Sequence, residues 1–147
     1  MITSGLFTSN DNTWTTPRDF FDKLNLEFNF TMDAAALSNS TLVPNNWLGP
    51  DHPQPLRRDA LIVDWDKLTN GFVWMNPPYG REISGFMNKA NEENKKGVKV
   101  VCLVPSRTDT NWWHDYVIHH EVRFIKGRLK FGNKGPAPFP SAVVVMK

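Results

Sequence analysis

The sequence predicts a mixed α/β fold with a mostly parallel central sheet, helices on both faces and an antiparallel strand pair near the C-terminus. Three observations predict it. A short apolar stretch at 72–75 is followed by Ile83, Phe86, Met87 and Ala90, spaced i, i+3, i+4 and i+7 as on one face of a helix. Next comes the run 98–104, apolar apart from Lys99, which suits a strand buried on both sides of a parallel sheet. Finally, strand-like segments at 122–125, 128–131 and 142–146, interrupted by a Gly/Pro loop at 132–140, predict terminal strands that turn back on one another. Strand–helix–strand order followed by a hairpin-like pair makes a three-layer sheet the simplest arrangement.

Each element has local signals. Residues 1–13 are polar and are expected to form a loose N-terminal arm, leaving 14–147 as one domain. Thr16, Pro17 and Asp19 form a helix start, with Thr16 as cap, Pro17 at the first position and an acid in the first turn. Phe20, Phe21 and Leu24 continue it on one face. The alternation at 28–32 predicts a strand that delivers Asp33 and three alanines, Ala34 to Ala36. Residues 37–58 are rich in Ser, Asn, Pro and Gly and predict an irregular connection with one short strand or turn near Trp47. A connection of that length implies a task of its own. Gly97 closes the helix after 83, and Asp109 or Thr110 caps another that carries Trp113, Tyr116 and Val117.

The bulk properties bound the function. With 147 residues and 40% hydrophobic content the chain can bury a core in one domain. Seventeen basic residues against 15 acidic give a net charge of +2, so any nucleic-acid contact must come from local clustering. The single cysteine, Cys102, sits in the apolar run 98–104 and reads as a buried strand thiol; this, with no disulfide framework, suits a reducing cytoplasm. No apolar run is long enough for a membrane span. The N-terminus has neither the basic nor the apolar part of a signal peptide. His119 and His120 are adjacent and point apart, and no Cys or acid set completes a metal site around the histidines.

The chemistry concentrates at Asn76-Pro77-Pro78-Tyr79, directly after the 72–75 strand. The strand's C-terminal end is where open α/β sheets bind ligands. A plain strand-ending turn is the simpler reading of two prolines. The residue types suit one task well, however. An exocyclic amine on adenine is a weak nucleophile because its lone pair is delocalised into the ring. An Asn oxygen and a backbone carbonyl can each accept one amine hydrogen. That draws the nitrogen toward a tetrahedral shape for in-line attack on a methyl sulfonium. The prolines hold a rigid carbonyl array without competing N–H groups, and Tyr79 offers a ring on which an extruded base could stack.

Seven stretches, in order, carry a resemblance. They begin with Trp14-Thr15-Thr16-Pro17, residues 30–36, and Asp59-Ala60-Leu61 with Trp65. Then come Trp74 through Tyr79, residues 105–110 with Trp112 and Trp113, residues 127–131, and residues 138–142. Together they resemble the phage-type DNA N6-adenine methyltransferase (Dam-like) family over 14–147. The resemblance implies a Rossmann-like methyltransferase domain that transfers a methyl group from S-adenosylmethionine to adenine N6 in double-stranded DNA. It also implies phage or prophage origin and protection from host restriction. Asn76, Pro77, Pro78 and Tyr79 would be catalytic. Trp14, Thr16, Pro17, Asp33, Ala34, Ala35, Asp59, Leu61 and Asn76 would hold the cofactor, with Asp59 accepting from its adenine amine.

Two of these acids have plainer readings: Asp33 as an Asx turn and Asp59 as a loop acid. The cofactor loop is alanine-rich where such loops are usually glycine-rich. Arg81, Arg107, Arg128 and Lys130 are candidate DNA contacts, whereas Lys95, Lys96 and Lys99 read as a solvated basic face and Trp112 and Trp113 as core. No separate target-recognition domain stands out, leaving 37–58, 132–140 or a partner chain to read sequence. Two other readings stay open: an RNA or protein-amide methyltransferase, and a catalytically silent DNA-binding protein.

Overall fold

The computed structural model describes residues 14–132 and 134–147; the predicted arm at 1–13 lies outside them. In chain order the elements are α1 (Arg18–Phe28), β1 (Met32–Asp33), β2 (Phe72–Met75), α2 (Ile83–Lys95), β3 (Lys99–Pro105) and α3 (Asn111–Tyr116). β4 (Glu121–Phe124), β5 (Lys130–Phe131), β6 (Gly135–Pro136) and β7 (Ser141–Met146) follow. Short 3₁₀ turns lie at Pro55–Arg57 and Trp65–Lys67.

Five strands form one sheet in the order β1-β2-β3-β7-β4. β1, β2 and β3 are parallel, and β7 runs antiparallel to both β3 and β4. β7 is therefore the reversed strand in a mostly parallel sheet, with β4 and β7 as the expected antiparallel C-terminal pair. β5 and β6 pair separately. The pattern at 128–131 thus yields a two-residue strand outside the main sheet.

Strand alternation divides the core into two faces. Val73, Met75, Val100, Cys102, Val104, Ala142, Val144 and Met146 pack with Ile83, Met87 and Ala90 of α2 and Trp112 and Trp113 of α3. Trp74, Val101, Leu103, Val143 and Val145 pack with Phe21 and Phe28 of α1. Both tryptophans of α3 are buried, as is the free thiol of Cys102.

Two local expectations change. The alternating segment 28–32 is not a strand throughout, because α1 runs on through Phe28 and stops at Asn29, which adopts a left-handed conformation (φ 53°). Asn25 holds that stop: its carbonyl accepts from Asn29 N (2.9 Å) and its side-chain oxygen from Phe30 N (2.8 Å). Helix packing of Phe28 thereby overrides its strand-like pattern. At the other end of α1 the cap position falls on Pro17, with no side-chain capping bond; Thr16 is engaged elsewhere, as described below. Thr110 does cap α3, accepting from Trp113 N.

α2 is pinned to the 64–66 segment by charge. Lys96 Nζ lies 2.8 Å from buried Glu93, 3.1 Å from Asp66 and 3.4 Å from Asp64. These three acids come close enough to share a cation, and the Lys96 ammonium takes that position.

The long connection 37–58 returns to the sheet. Asp33 N donates to Asn46 O, Leu48 N to Asp33 O and Ala36 N to Leu48 O, all near 3 Å, and Trp47 makes a parallel bridge with Asp33. The expected short strand near Trp47 is this bridge. It brings Gly49 so close to the alanine-rich loop that a Cβ there would stand 1.7 Å from the Ala36 carbonyl oxygen. Gly49→Ala is expected to cost about 2 kcal/mol or more in chemical denaturation, since backbone must move. At Gly132 an added Cβ meets nothing within 4 Å, so Gly132→Ala should stay within about 0.5 kcal/mol of the parent.

Candidate active site

β1, β2 and β3 end on one edge of the sheet, and β7 begins there. Their loops surround a cavity of about 400 Å³, within the range of about 300–1,000 Å³ usual for small-molecule sites. Trp14, Thr16, Asp33, Ala34, Ala35, Asp59, Leu61, Asn76, Pro77 and Pro78 all line it. Of the residues expected to hold cofactor, Pro17 does not line it, being occupied at the start of α1. Leu48, Gly49, Pro50, Arg58, Glu82 and Phe86 also line the cavity and were not singled out in the sequence. Phe86 belongs to an apolar helical face and so resembled core. Gly49-Pro50 lay inside a stretch without periodicity, where only its length signalled a purpose.

Asn76 is the junction of the site. Its Nδ2 donates to the Trp14 carbonyl and to Thr16 Oγ1 (2.9 Å), while its Oδ1 accepts from the Tyr79 hydroxyl (2.8 Å). Thr16 therefore serves Asn76 instead of capping α1. The segment 14–16 is a strap held from above by the β5–β6 pair. Gly132 N donates to Thr15 O, Trp14 packs edge-on against Phe131 and Phe139, and Lys134 Nζ lies 4.3 Å from the Trp14 ring centroid.

Tyr79 does not present the open ring face expected of it. The side chain is 1% exposed and edge-on to Phe139, with ring centroids 5.6 Å apart. Its hydroxyl also lies 3.1 Å from the Leu103 carbonyl. Burial pushes the phenol well above its ordinary range, with nearby Arg107 opposing.

Asp33 is 3% exposed and anchors the alanine-rich loop at 34–36. One carboxylate oxygen accepts from Leu42 N (3.0 Å) and Thr41 Oγ1 (3.4 Å), the other from Ala35 N (3.4 Å). This combines the Asx turn with a tie to the long connection. Among the described residues Asn29 is the sole non-glycine with positive φ, so the chain bends at Ala34 and Ala35 after β1 without a left-handed residue. Ala34 N donates to Trp74 O and Ala36 N to Leu48 O. A bend made without positive φ has no need of glycine; the close approach falls to Gly49. Asp59 gives one oxygen to Leu61 N (3.0 Å), and among the described residues its other oxygen accepts no hydrogen bond.

Arg81, Arg107, Arg128 and Lys130 are all exposed. Among the described residues none has a carboxylate within salt-bridge distance, whereas Lys67, Lys89, Lys95, Lys96 and Arg123 are each paired. Lys99 lies over the Phe72 ring. Arg107 lies two residues beyond the end of β3, Arg128 lies just before β5 and Lys130 opens it, beside the strap.

Burial, outweighing the three donors, raises the Asp33 carboxyl to about 7. The folded chain then binds this proton more tightly than the unfolded chain does, so its contribution to stability is fully present below about pH 4. It is lost as pH rises toward 7. Thermal melting between pH 5 and 8 should show the parent declining relative to Asp33→Asn; a parent that gains on the variant over that window contradicts the assignment.

The model of the family DNA N-6-adenine-methyltransferase (Dam) matches residues 3–141. A search of curated proteins returns no match. With a family model matching nearly its whole length, this chain belongs to the DNA N-6-adenine-methyltransferase (Dam) family.

Proposed function

We propose that the chain transfers a methyl group from S-adenosylmethionine to the N6 amine of adenine in double-stranded DNA, in a Rossmann-like domain reduced to five sheet strands. The observation that carries this reading is that Asn76, Pro77 and Pro78 form part of the wall of the cavity at the sheet's ligand-binding edge. The cavity's size and its mixed lining fit the cofactor. Asp59, with a free carboxylate oxygen, and Leu61 would hold its adenine. Trp14, Thr16, Ala34 and Ala35 would hold its methionine part, with Asp33 keeping that loop in place. When bound, the cofactor supplies an electrophilic methyl group on a sulfonium.

The protein's own part is to prepare the amine. Asn76 Oδ1 has two lone pairs, one taken by Tyr79. The second can accept an amine hydrogen while a backbone carbonyl beside Pro77 accepts the other. The amine lone pair is then concentrated toward the cavity. No strong base is required, because a methylated, positively charged nitrogen sheds its proton readily to water. Modification of phage or prophage DNA against host restriction is the biological role we assign to this reaction.

Arg81, Arg107, Arg128 and Lys130 are the DNA contacts we infer, because they are exposed cations without carboxylate partners near the site. Each phosphate neutralised contributes about 0.9 to the log–log salt dependence of binding. Arg107→Ala should therefore weaken DNA binding and reduce that slope by roughly 1. Arg123→Ala, which removes a cation already paired with Glu27 and Glu121, should leave the slope unchanged.

The reaction itself is tested by transfer of a radiolabelled methyl group to unmethylated double-stranded DNA, followed by nucleoside analysis. N6-methyladenine should form with the parent chain and fall at least about a hundredfold with Asn76→Ala. Cofactor binding without transfer to DNA would move the reading to an RNA or protein-amide acceptor. Failure to bind cofactor would favour a silent DNA-binding protein.

A further inference from the structure

We propose that Lys126, Arg128 and Lys130 form one phosphate track, with all three cations on phosphates of a single DNA strand. This rests on the methyl-transfer reading for the identity of the polymer. It goes beyond that reading by adding Lys126 and by assigning the three cations to one strand.

Charge is strongly polarised along the chain. Residues 1–121 hold all 15 acids and 11 of the 17 cations, whereas 122–147 hold six cations and no acid. The net charge of +2 therefore combines an acidic body, at −4, with a basic C-terminal segment, at +6. Two of the six are turned to acids: Arg123 meets Glu27 and Glu121, and Lys147 meets Glu121. Lys134 lies over the Trp14 ring. Lys126, Arg128 and Lys130 are exposed, and among the described residues none of them has a carboxylate within salt-bridge distance.

The three cations also share a side. Leu129 and Phe131 pack inward against the core that holds Phe21 and Trp74. Leu129 O accepts from Ala137 N, and Lys130 pairs with Pro136. The backbone at 129–131 is thus an extended ladder, and Arg128 and Lys130 point away from the core on its outer side. An extended i, i+2 pair stands about 6.5 Å apart, so the two cations reach out in one line. Gly127, left-handed at φ 78°, bends the chain just before Arg128, with exposed Lys126 at the corner.

The inner side of the same ladder faces the site. Phe131 packs on Trp14 of the strap, whose carbonyl accepts from Asn76. A strand lying along the outer side runs beside the nucleotide delivered to Asn76. An acidic body with one basic ridge recruits a polyanion through that ridge, and a nucleic-acid strand presents its phosphates in a row.

The test is binding of the full chain to fluorescently labelled unmethylated DNA over a range of NaCl concentrations, with Lys126→Gln, Arg128→Gln and Lys130→Gln combined. On duplex DNA the triple variant should lose roughly 3 from the log–log salt slope, at about 0.9 per phosphate. On single-stranded DNA it should lose about 2, at about 0.7 per phosphate, because all three contacts lie on one strand. Lys126→Gln alone should lose about 1 on the duplex. The side chains are exposed, so melting should stay cooperative at the parental temperature. An unchanged duplex slope in the triple variant or in Lys126→Gln overturns the proposal. Loss on the duplex without loss on the single strand overturns the one-strand assignment. A matching loss in a Lys95→Gln, Lys99→Gln variant would show a bulk-charge effect and reject the track, and slopes that change on RNA alone would reject DNA. If the parent shows this salt dependence yet transfers no methyl group, the functional reading fails and the track stands.

Discussion

The Asn76 carboxamide joins three parts of the chain that are far apart in sequence. Its nitrogen binds the strap at Trp14 and Thr16, about sixty residues earlier, and its oxygen binds Tyr79, three residues later. Tyr79 in turn reaches the Leu103 carbonyl on the central strand β3. The strap is fixed by the β5–β6 pair through Thr15 and the ring of Trp14. Asn76 is thus held from the N-terminal segment, the sheet and the C-terminal hairpin at once. Within a partly buried site such bonds are worth more together than singly, because loosening one leaves its partner unsatisfied. The orientation of Asn76 and the docking of the strap are consequently one constraint.

A second constraint acts on the opposite wall of the cavity. Asp33 ties the alanine-rich loop to residues 41 and 42, and the 46–48 segment pairs alongside it. The long connection is therefore part of the wall, with Leu42, Leu48, Gly49 and Pro50 lining the cavity. That leaves the 132–140 loop, packed on the strap, as the segment of the two better placed beside the unpaired cations. The partition of charge supports the same division. Lys96 and Arg123 are neutralised by nearby acids, whereas among the described residues Arg107, Arg128 and Lys130 have no carboxylate within salt-bridge distance.

Much of this was legible in the sequence, for identifiable reasons. The run 98–104 is apolar on both faces because β3 lies in the middle of the sheet, between β2 and β7. The helix at 83–95 was legible from its period, and Gly97 with φ 105° ends it as expected. The strand before Asn76 was legible because apolar residues run directly into Pro-Pro, which cannot continue a ladder. The residues after β1 were placed at the cavity by their position alone. What escaped was set by tertiary contacts. Phe28 follows the helix it packs with. Thr16 answers to Asn76 rather than to the helix beginning beside it, and Tyr79 is covered by Phe131 and Phe139, more than fifty residues away. Gly49 shows its purpose only when Ala36 is beside it. No local pattern encodes any of these.

The central claim is that Asn76, oriented by the strap and by Tyr79, receives the target amine. The most direct measurement is a crystal structure of the chain with double-stranded DNA and the demethylated cofactor product. The account predicts an extruded adenine whose amine nitrogen lies about 3 Å from Asn76 Oδ1. An adenine amine held away from Asn76 would contradict it.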